Sequence, residues 1–214
     1  MRMSIATRFC FVRHGETDWN TQRRLQGHID TPLNPVGLAQ AEATAKGLQA
    51  HRFDALYCSD LIRTLQTARY AARGLNLPIH LRHELCERHY GAFQGLTYSE
   101  AEQHFPADYA RFKAREPGYA ILDDGESLLQ HRRRVLACLE QIAASHVGQT
   151  VLVVTHGGVL DLVYRLATGL DLAAPRDFGI PNAALNWIEH RAGAWHLLQW
   201  ADQSHLEAAL DELP

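Results

Sequence analysis

The sequence predicts an α/β fold: a mostly parallel sheet covered by helices on both faces, with a short cap insertion over the strand C-terminal ends. Three observations carry that expectation. Short apolar runs alternate with longer segments of helical periodicity. Two of the runs finish in a histidine-glycine step, Arg13-His14-Gly15 and Thr155-His156-Gly157-Gly158. Between 91 and 125 the alternation lapses into a stretch with four glycines and two prolines, the composition of a cap laid over a strand end. With 214 residues, 46% of them apolar, and no internal repeat or linker, the chain reads as one domain spanning 1–214.

Taken in order, residues 7–12 (TRFCFV) are too short an apolar run for a helix and read as a buried strand. Asn34 and Pro35 supply an N-cap and a first-turn proline for an alanine-rich helix over 36–50. A second strand spans 54–58. Ser59 and Asp60 are placed to cap the helix after it, where Leu61, Leu65 and Ala68 recur at helical spacing and Gly74 marks the end. Residues 77–85 resemble a third strand, with Pro78 arguing for a sheet edge. A long helical pattern over 126–145 leads into the apolar run of 150–155, which turns through Gly157-Gly158 into another helix. AALNWIEHR and AWHLLQW, joined around Ala192-Gly193, form a hairpin that adds antiparallel strands.

Composition removes several function classes. A net charge of −3 leaves no basic excess for nucleic acid or an anionic membrane surface, so a bound anion must be held locally. No run approaches the ~18 apolar residues of a membrane span, and no leader pattern precedes the first strand, so the expected location is cytoplasmic. Cys10, Cys58, Cys86 and Cys138 lack CxxC spacing and read as reduced, packed thiols. His28, His51, His80, His83, His89, His104 and His131 show no paired-ligand spacing; they read as solvent-facing, and no metal is expected. The run from His131 to Arg134 reads as the polar face of the long helix.

Ligand sites in open α/β sheets lie beyond the strand C-terminal ends, so His14 and His156 can face one crevice. The glycine after each permits close approach of backbone to ligand, and the helix after His156 directs free N–H groups, Gly157 among them, at an anion. Arg13, and Arg63 early on the helix after the second strand, are planar donors suited to a phosphoryl group. Asn20 and the backbone around Gln26 and Gly27 are placed to complete the cradle. Glu87 follows the third strand and can either balance charge or donate a proton. Singly, each has a plainer reading: a core histidine, a helix-surface arginine, half of a surface ion pair with Arg88. As a set they describe nucleophilic phosphoryl transfer by a neutral imidazole among cations.

The ordered motifs FVRHGETDWN, RRLQGHIDTPLNPVGLAQA, SDLIRTLQTA, LCERHYGAFQGLT and VVTHGGVL resemble those of the histidine phosphatase superfamily, on its phosphoglycerate mutase-like branch. The ending SHLEAALDEL is similar to that of short bacterial members. The resemblance implies a phosphorylated histidine at His14, a phosphate pocket from Arg13, Arg63 and His156, a proton donor at Glu87, and accessory contacts from Asn20, Gln26 and Gly27. Two departures stand out: Gln94 occupies a position where many relatives carry glutamate, and the cap is shorter than in glycolytic mutases. The short cap favours a phosphomonoesterase acting on a small phosphorylated metabolite with no cofactor. A mutase, which would need 2,3-bisphosphoglycerate, and a silent phospho-ligand binding protein are the alternatives. In the cap, Tyr98, His104, Arg111, Lys113 and Arg115 are candidates to meet the rest of the substrate, their cations suiting a carboxylate.

Overall fold

A computed structural model describes residues 5–206; residues 1–4 and 207–214, including most of the SHLEAALDEL ending, lie outside the described residues. The chain runs β1 (Thr7–Arg13), α1 (Asp18–Thr21), α2 (Pro35–Leu48), β2 (Ala55–Cys58), α3 (Ile62–Leu75) and β3 (Ile79–Leu81). It continues through 3₁₀ turns at His83–Leu85 and Gly91–Phe93, then α4 (Tyr98–His104), α5 (Pro106–Lys113), α6 (Leu128–Ser145), β4 (Thr150–Thr155), α7 (Gly157–Thr168), β5 (Leu185–Arg191) and β6 (Ala194–Asp202). The six strands form one sheet in the order β3-β2-β4-β1-β5-β6. The first four are parallel and the closing hairpin is antiparallel, as the sequence predicts.

Strand alternation decides which helix each residue meets. Phe9, Phe11, Tyr57, Val151 and Val153 point to the face covered by α6 and α7, where they join Val135, Leu139, Leu160 and Val163. Cys10, Val12, Leu56, Cys58, Leu152 and Val154 point to the opposite face, against Leu48, Ala68 and Ala71 of α2 and α3. With both faces buried, the central strands are continuously apolar, which is why they read as unbroken runs in the sequence. The segment 91–125 forms a smaller cluster of its own around Phe93, Ala101, Tyr109, Tyr119 and Ile121, closed by Leu25.

Four details differ from the sequence reading. The third strand stops at Leu81, because the chain then tightens into the His83–Leu85 turn that drives Leu85 fully into the core. Neither Ser59 nor Asp60 caps α3: its N-cap is Leu61, without a side-chain bond, and Asp30 accepts the Ile62 N–H at 2.6 Å from a distant loop. That helix ends not at Gly74 but at Leu75, followed by Asn76 in the left-handed region at φ 53°. Finally, α7 starts at Gly157, with His156 as its N-cap, so both glycines belong to its first turn. Pro78 does mark the sheet edge, since among the described residues β3 pairs only with β2.

Candidate active site

The two histidines meet because β1 and β4 are parallel neighbours in register, Arg13 opposite Thr155. The next residue of each strand therefore emerges at the same sheet edge, and the His14 and His156 ring centroids stand 5.3 Å apart. The His14 N–H bonds the Thr155 carbonyl at 2.9 Å, and Asn182 donates to the His14 carbonyl at 2.8 Å. In the side chain, Nδ1 lies 2.7 Å from the Gly15 carbonyl. A carbonyl can only accept, so Nδ1 carries the proton and Nε2 presents a lone pair. Burial, then the charges of Arg63 and Arg13, hold the His14 pKa well below its ordinary value, keeping the imidazole neutral.

Arg63, 1% exposed, is held by backbone carbonyls: Nη2 donates to Gly27 at 2.7 Å and Nη1 to Ile29 at 3.0 Å. Arg13 Nη1 donates to Ile180 at 2.7 Å. In both, Nε is buried without a protein partner. An unsatisfied buried donor is costly, and two of them beside His14 are what an oxyanion would satisfy. Gln94, the departure from the expected glutamate, supports Arg63 indirectly. Its Oε1 accepts the His28 N–H at 2.7 Å and fixes the loop whose carbonyls grip the guanidinium. Gly27 has φ +54°, and a Cβ there would lie 2.2 Å from that Oε1, so a side chain would strain the backbone and push Gln94 off the His28 N–H.

Glu87 reaches the same place from the other side. Its carboxylate accepts the Gly158 N–H at 3.0 Å from both oxygens and the Arg88 N–H at 2.8 Å, at the N-terminus of α7. A Cβ on Gly158 would sit 2.0 Å from Glu87 Oε1, which explains the second glycine of the pair. His156 Nε2 bonds Ser59 Oγ at 2.7 Å, and that oxygen bonds Thr64 Oγ1 at 2.7 Å, leaving His156 Nδ1 buried and unpartnered. Thr64 Oγ1 donates to the Leu61 carbonyl at 2.7 Å, so Ser59 donates to Thr64 and accepts from His156 Nε2, which carries the imidazole proton while Nδ1 keeps a lone pair.

These groups line a cavity of about 630 Å³. Arg13, His14, Asn20, Gln26, Arg63, Glu87 and Gly157 all border it; Gly27 acts behind it through Arg63, and His156 stands beside His14. Of the cap candidates, Tyr98, Lys113 and Arg115 line the cavity, whereas Arg111 turns away to Glu116 and Tyr119 and His104 is exposed. Arg115 is already committed, donating to Asp161 at 2.7 Å and to the Leu172 carbonyl at 2.9 Å. Arg88, Tyr90, Asp161 and Arg176 join the lining, although the sequence singles none of them out as a site residue.

His131 overturns its sequence reading. It is 1% exposed rather than solvent-facing, its ring lies against Glu87 and Gly158, and its Nε2 is buried without a partner. Burial and the nearby Arg134 lower its pKa to about 3. Arg134 also leaves the expected polar face: it pairs with Glu126 at 2.7 Å and donates to the Glu84, Cys86 and Glu87 carbonyls, bracing the Glu87 loop. Only Arg132 and Arg133 of that run are exposed. Cys86 packs as expected: burial and its bond to Asp60 push the thiol up to about 12, well away from a nucleophilic thiolate at neutral pH.

His14, His131 and His156 share a depressed pKa, and this fixes the sign of a stability prediction. Above the unfolded value near 6.5 all three are neutral in both states and contribute no slope. Below it the unfolded chain binds more protons, so stability falls with pH, by up to about 1.4 kcal/mol per unit for each group. From pH 6.5 to 5 the loss is expected to reach on the order of 5 kcal/mol, a drop in Tm of roughly 10 °C or more. Thermal melts at the two pH values, and of His131→Phe, which should flatten the slope, check it. A Tm indifferent to pH over that range would show the histidines to be accessible to protons.

Neutral imidazole, unpartnered arginine nitrogens and a carboxylate at one sheet edge define the chain as a phosphoryl-transfer enzyme of the phosphomonoesterase type. It belongs to the histidine phosphatase superfamily (branch 1), whose family model matches residues 9–203. The chain is 40% identical over 207 residues to the metal-independent phosphoserine phosphatase of Arabidopsis thaliana, covering 96% of this chain and 85% of that one. To phosphoglycerate mutase-like protein 4 of the same plant it is 38% identical, covering 92% and 85%. Among solved structures, phosphoserine phosphatase from Entamoeba histolytica in complex with 3-phosphoglyceric acid superposes with a TM-score of 0.84 at 26% identity, covering 94% and 99%.

Proposed function

We propose that this protein hydrolyses a small carboxylate-bearing phosphomonoester, with phosphoserine the first candidate, through a phosphohistidine at His14. The observation that carries the reading is the fixed tautomer of His14, whose Nε2 lone pair opens on a cavity flanked by two arginine Nε atoms without protein partners. As the Nε2–P bond forms and the P–O bond to the leaving group breaks, Arg13 and Arg63 take the equatorial oxygens. Glu87, acting as general acid, passes a proton to the leaving oxygen. Water then attacks phosphorus, Glu87 takes the water proton, the N–P bond breaks and inorganic phosphate leaves. Positive charge for the transferring group comes from the two guanidinium groups, so no metal enters these steps.

The substrate class rests on the cavity lining, which includes the cations Arg23, Lys113 and Arg176. Cations there suit a carboxylate at the far end of the phosphoester, and the Arabidopsis relative is named for phosphoserine. The test is phosphate release from a panel holding phosphoserine, phosphoethanolamine and 3-phosphoglycerate, the last with and without 2,3-bisphosphoglycerate. Phosphoserine is expected to exceed phosphoethanolamine, which lacks the carboxylate, by at least about tenfold in kcat/KM, with rates unchanged by chelator. Equal rates would remove the carboxylate from the recognition. Isomerisation of 3-phosphoglycerate that outruns hydrolysis when the bisphosphate is present would make the protein a mutase instead.

A further inference from the structure

Outside the cavity, beside the loop that carries Glu87, three side chains of different ligand chemistry converge: Asp60, His83 and Cys86. Cys86 Sγ lies 2.9 Å from Asp60 Oδ1 and 3.7 Å from His83 Nδ1, and Nδ1 lies 3.4 Å from the same Oδ1 and 3.0 Å from Oδ2. The backbone explains the meeting. His83 and Cys86 begin and follow a 3₁₀ turn, in which side chains three residues apart eclipse. The Arg82 N–H bonds the Cys58 carbonyl at 2.9 Å, which sets that turn against the end of β2, two residues before Asp60.

An ion pair between Asp60 and His83 accounts for two of the groups but not for a buried thiol directed at both. Tetrahedral Zn²⁺ holds sulfur at about 2.3 Å and nitrogen or oxygen at about 2.0–2.2 Å, which spaces such ligand atoms roughly 3.3–3.7 Å apart. The observed triangle meets that spacing once Sγ and Oδ1 open by about half an ångström. Cys86 is fully buried, while the side chains of Asp60 and His83 are 43% and 65% exposed, so a soft anchor lies inside and the other two ligands face solvent.

We propose that Asp60 Oδ1, His83 Nδ1 and Cys86 Sγ bind one Zn²⁺, with water in the fourth position. Binding displaces the Sγ proton to solvent. The ion clasps the 83–86 turn to the end of β2 and takes no part in phosphoryl transfer. Its site is separate from the cavity, although Cys86 directly precedes Glu87.

The full chain, freed of metal by chelation, is titrated with Co²⁺ and then with Zn²⁺ in competition. One equivalent of Co²⁺ is expected to give the thiolate-to-metal charge-transfer absorption that marks sulfur ligation, and Zn²⁺ to abolish it. Cys86→Ser should lose the band. His83→Ala, a change at an exposed side chain that leaves the fold intact, should weaken Zn²⁺ binding by about 100-fold or more, beyond the roughly 10–100-fold cost of losing an outer partner of a metal ligand. Saturating Zn²⁺ should raise the Tm of the parent chain and not that of His83→Ala. Absence of the band in the parent chain, or its persistence in Cys86→Ser, or unchanged Zn²⁺ affinity in His83→Ala, would each overturn the site.

Discussion

Replacing His14 with alanine is expected to lower phosphomonoester hydrolysis by on the order of 10⁴-fold or more, the scale on which losing a covalent nucleophile is felt. Inorganic phosphate should still bind. The Arg13 and Arg63 guanidinium groups keep their carbonyl anchors at Ile180, Gly27 and Ile29, none of which involves His14. The removed imidazole also leaves room beside them. The paired result, lost turnover with retained phosphate affinity, separates a missing nucleophile from a collapsed pocket. Steady-state kinetics and calorimetric titration with phosphate measure the two. If the variant keeps its rate, water attacks the substrate directly and His14 takes no part in the reaction.

The second large effect belongs to Glu87 and depends on the leaving group. Glu87→Gln keeps an oxygen for the Gly158 and Arg88 N–H groups but removes the transferable proton. General acid catalysis contributes about 10²–10⁴-fold, and the benefit shrinks as the leaving oxygen becomes less basic. Phosphoryl transfer from phosphoserine should therefore fall by about 10²-fold or more, and from p-nitrophenyl phosphate by far less. Single-turnover phosphorylation is the proper readout, because dephosphorylation is common to both substrates and would mask the difference. Equal losses would assign Glu87 to charge balance at the N-terminus of α7.

What was legible in the sequence is what depends on chain-local pattern and on the geometry of parallel sheets. Two apolar strands that each end in His-Gly are enough to place His14 and His156 at one edge once the sheet is parallel, and the β1–β4 pairing does so. Arg63 followed from its place in the first turn of the helix after β2. The misses are contacts between segments far apart in sequence. Asp30 takes the α3 N–H that Ser59 and Asp60 were expected to cap, from 32 residues away. His131 is written into a run of arginines that looks solvated, yet its position on α6 turns it to the core beside Glu87, while Arg132 and Arg133 point outward. The helical period could have revealed it, since His131, Val135 and Cys138 share one stripe, all buried. Asp60 had to leave its expected cap to face His83 and Cys86, and no spacing in one segment shows that.

Between substrate and water the phosphoryl group is expected to rest on His14, where rapid quenching can trap it. Enzyme mixed rapidly with phosphoserine labelled in its phosphoryl group, quenched in alkaline denaturant and mapped by peptide mass spectrometry, should carry the label on His14. The adduct should be stable to base and labile to acid, and should form at least as fast as steady-state turnover. Label on another residue, no label at all under conditions where formation outpaces breakdown, or an adduct that forms more slowly than the enzyme turns over would remove His14 as the phosphoryl carrier.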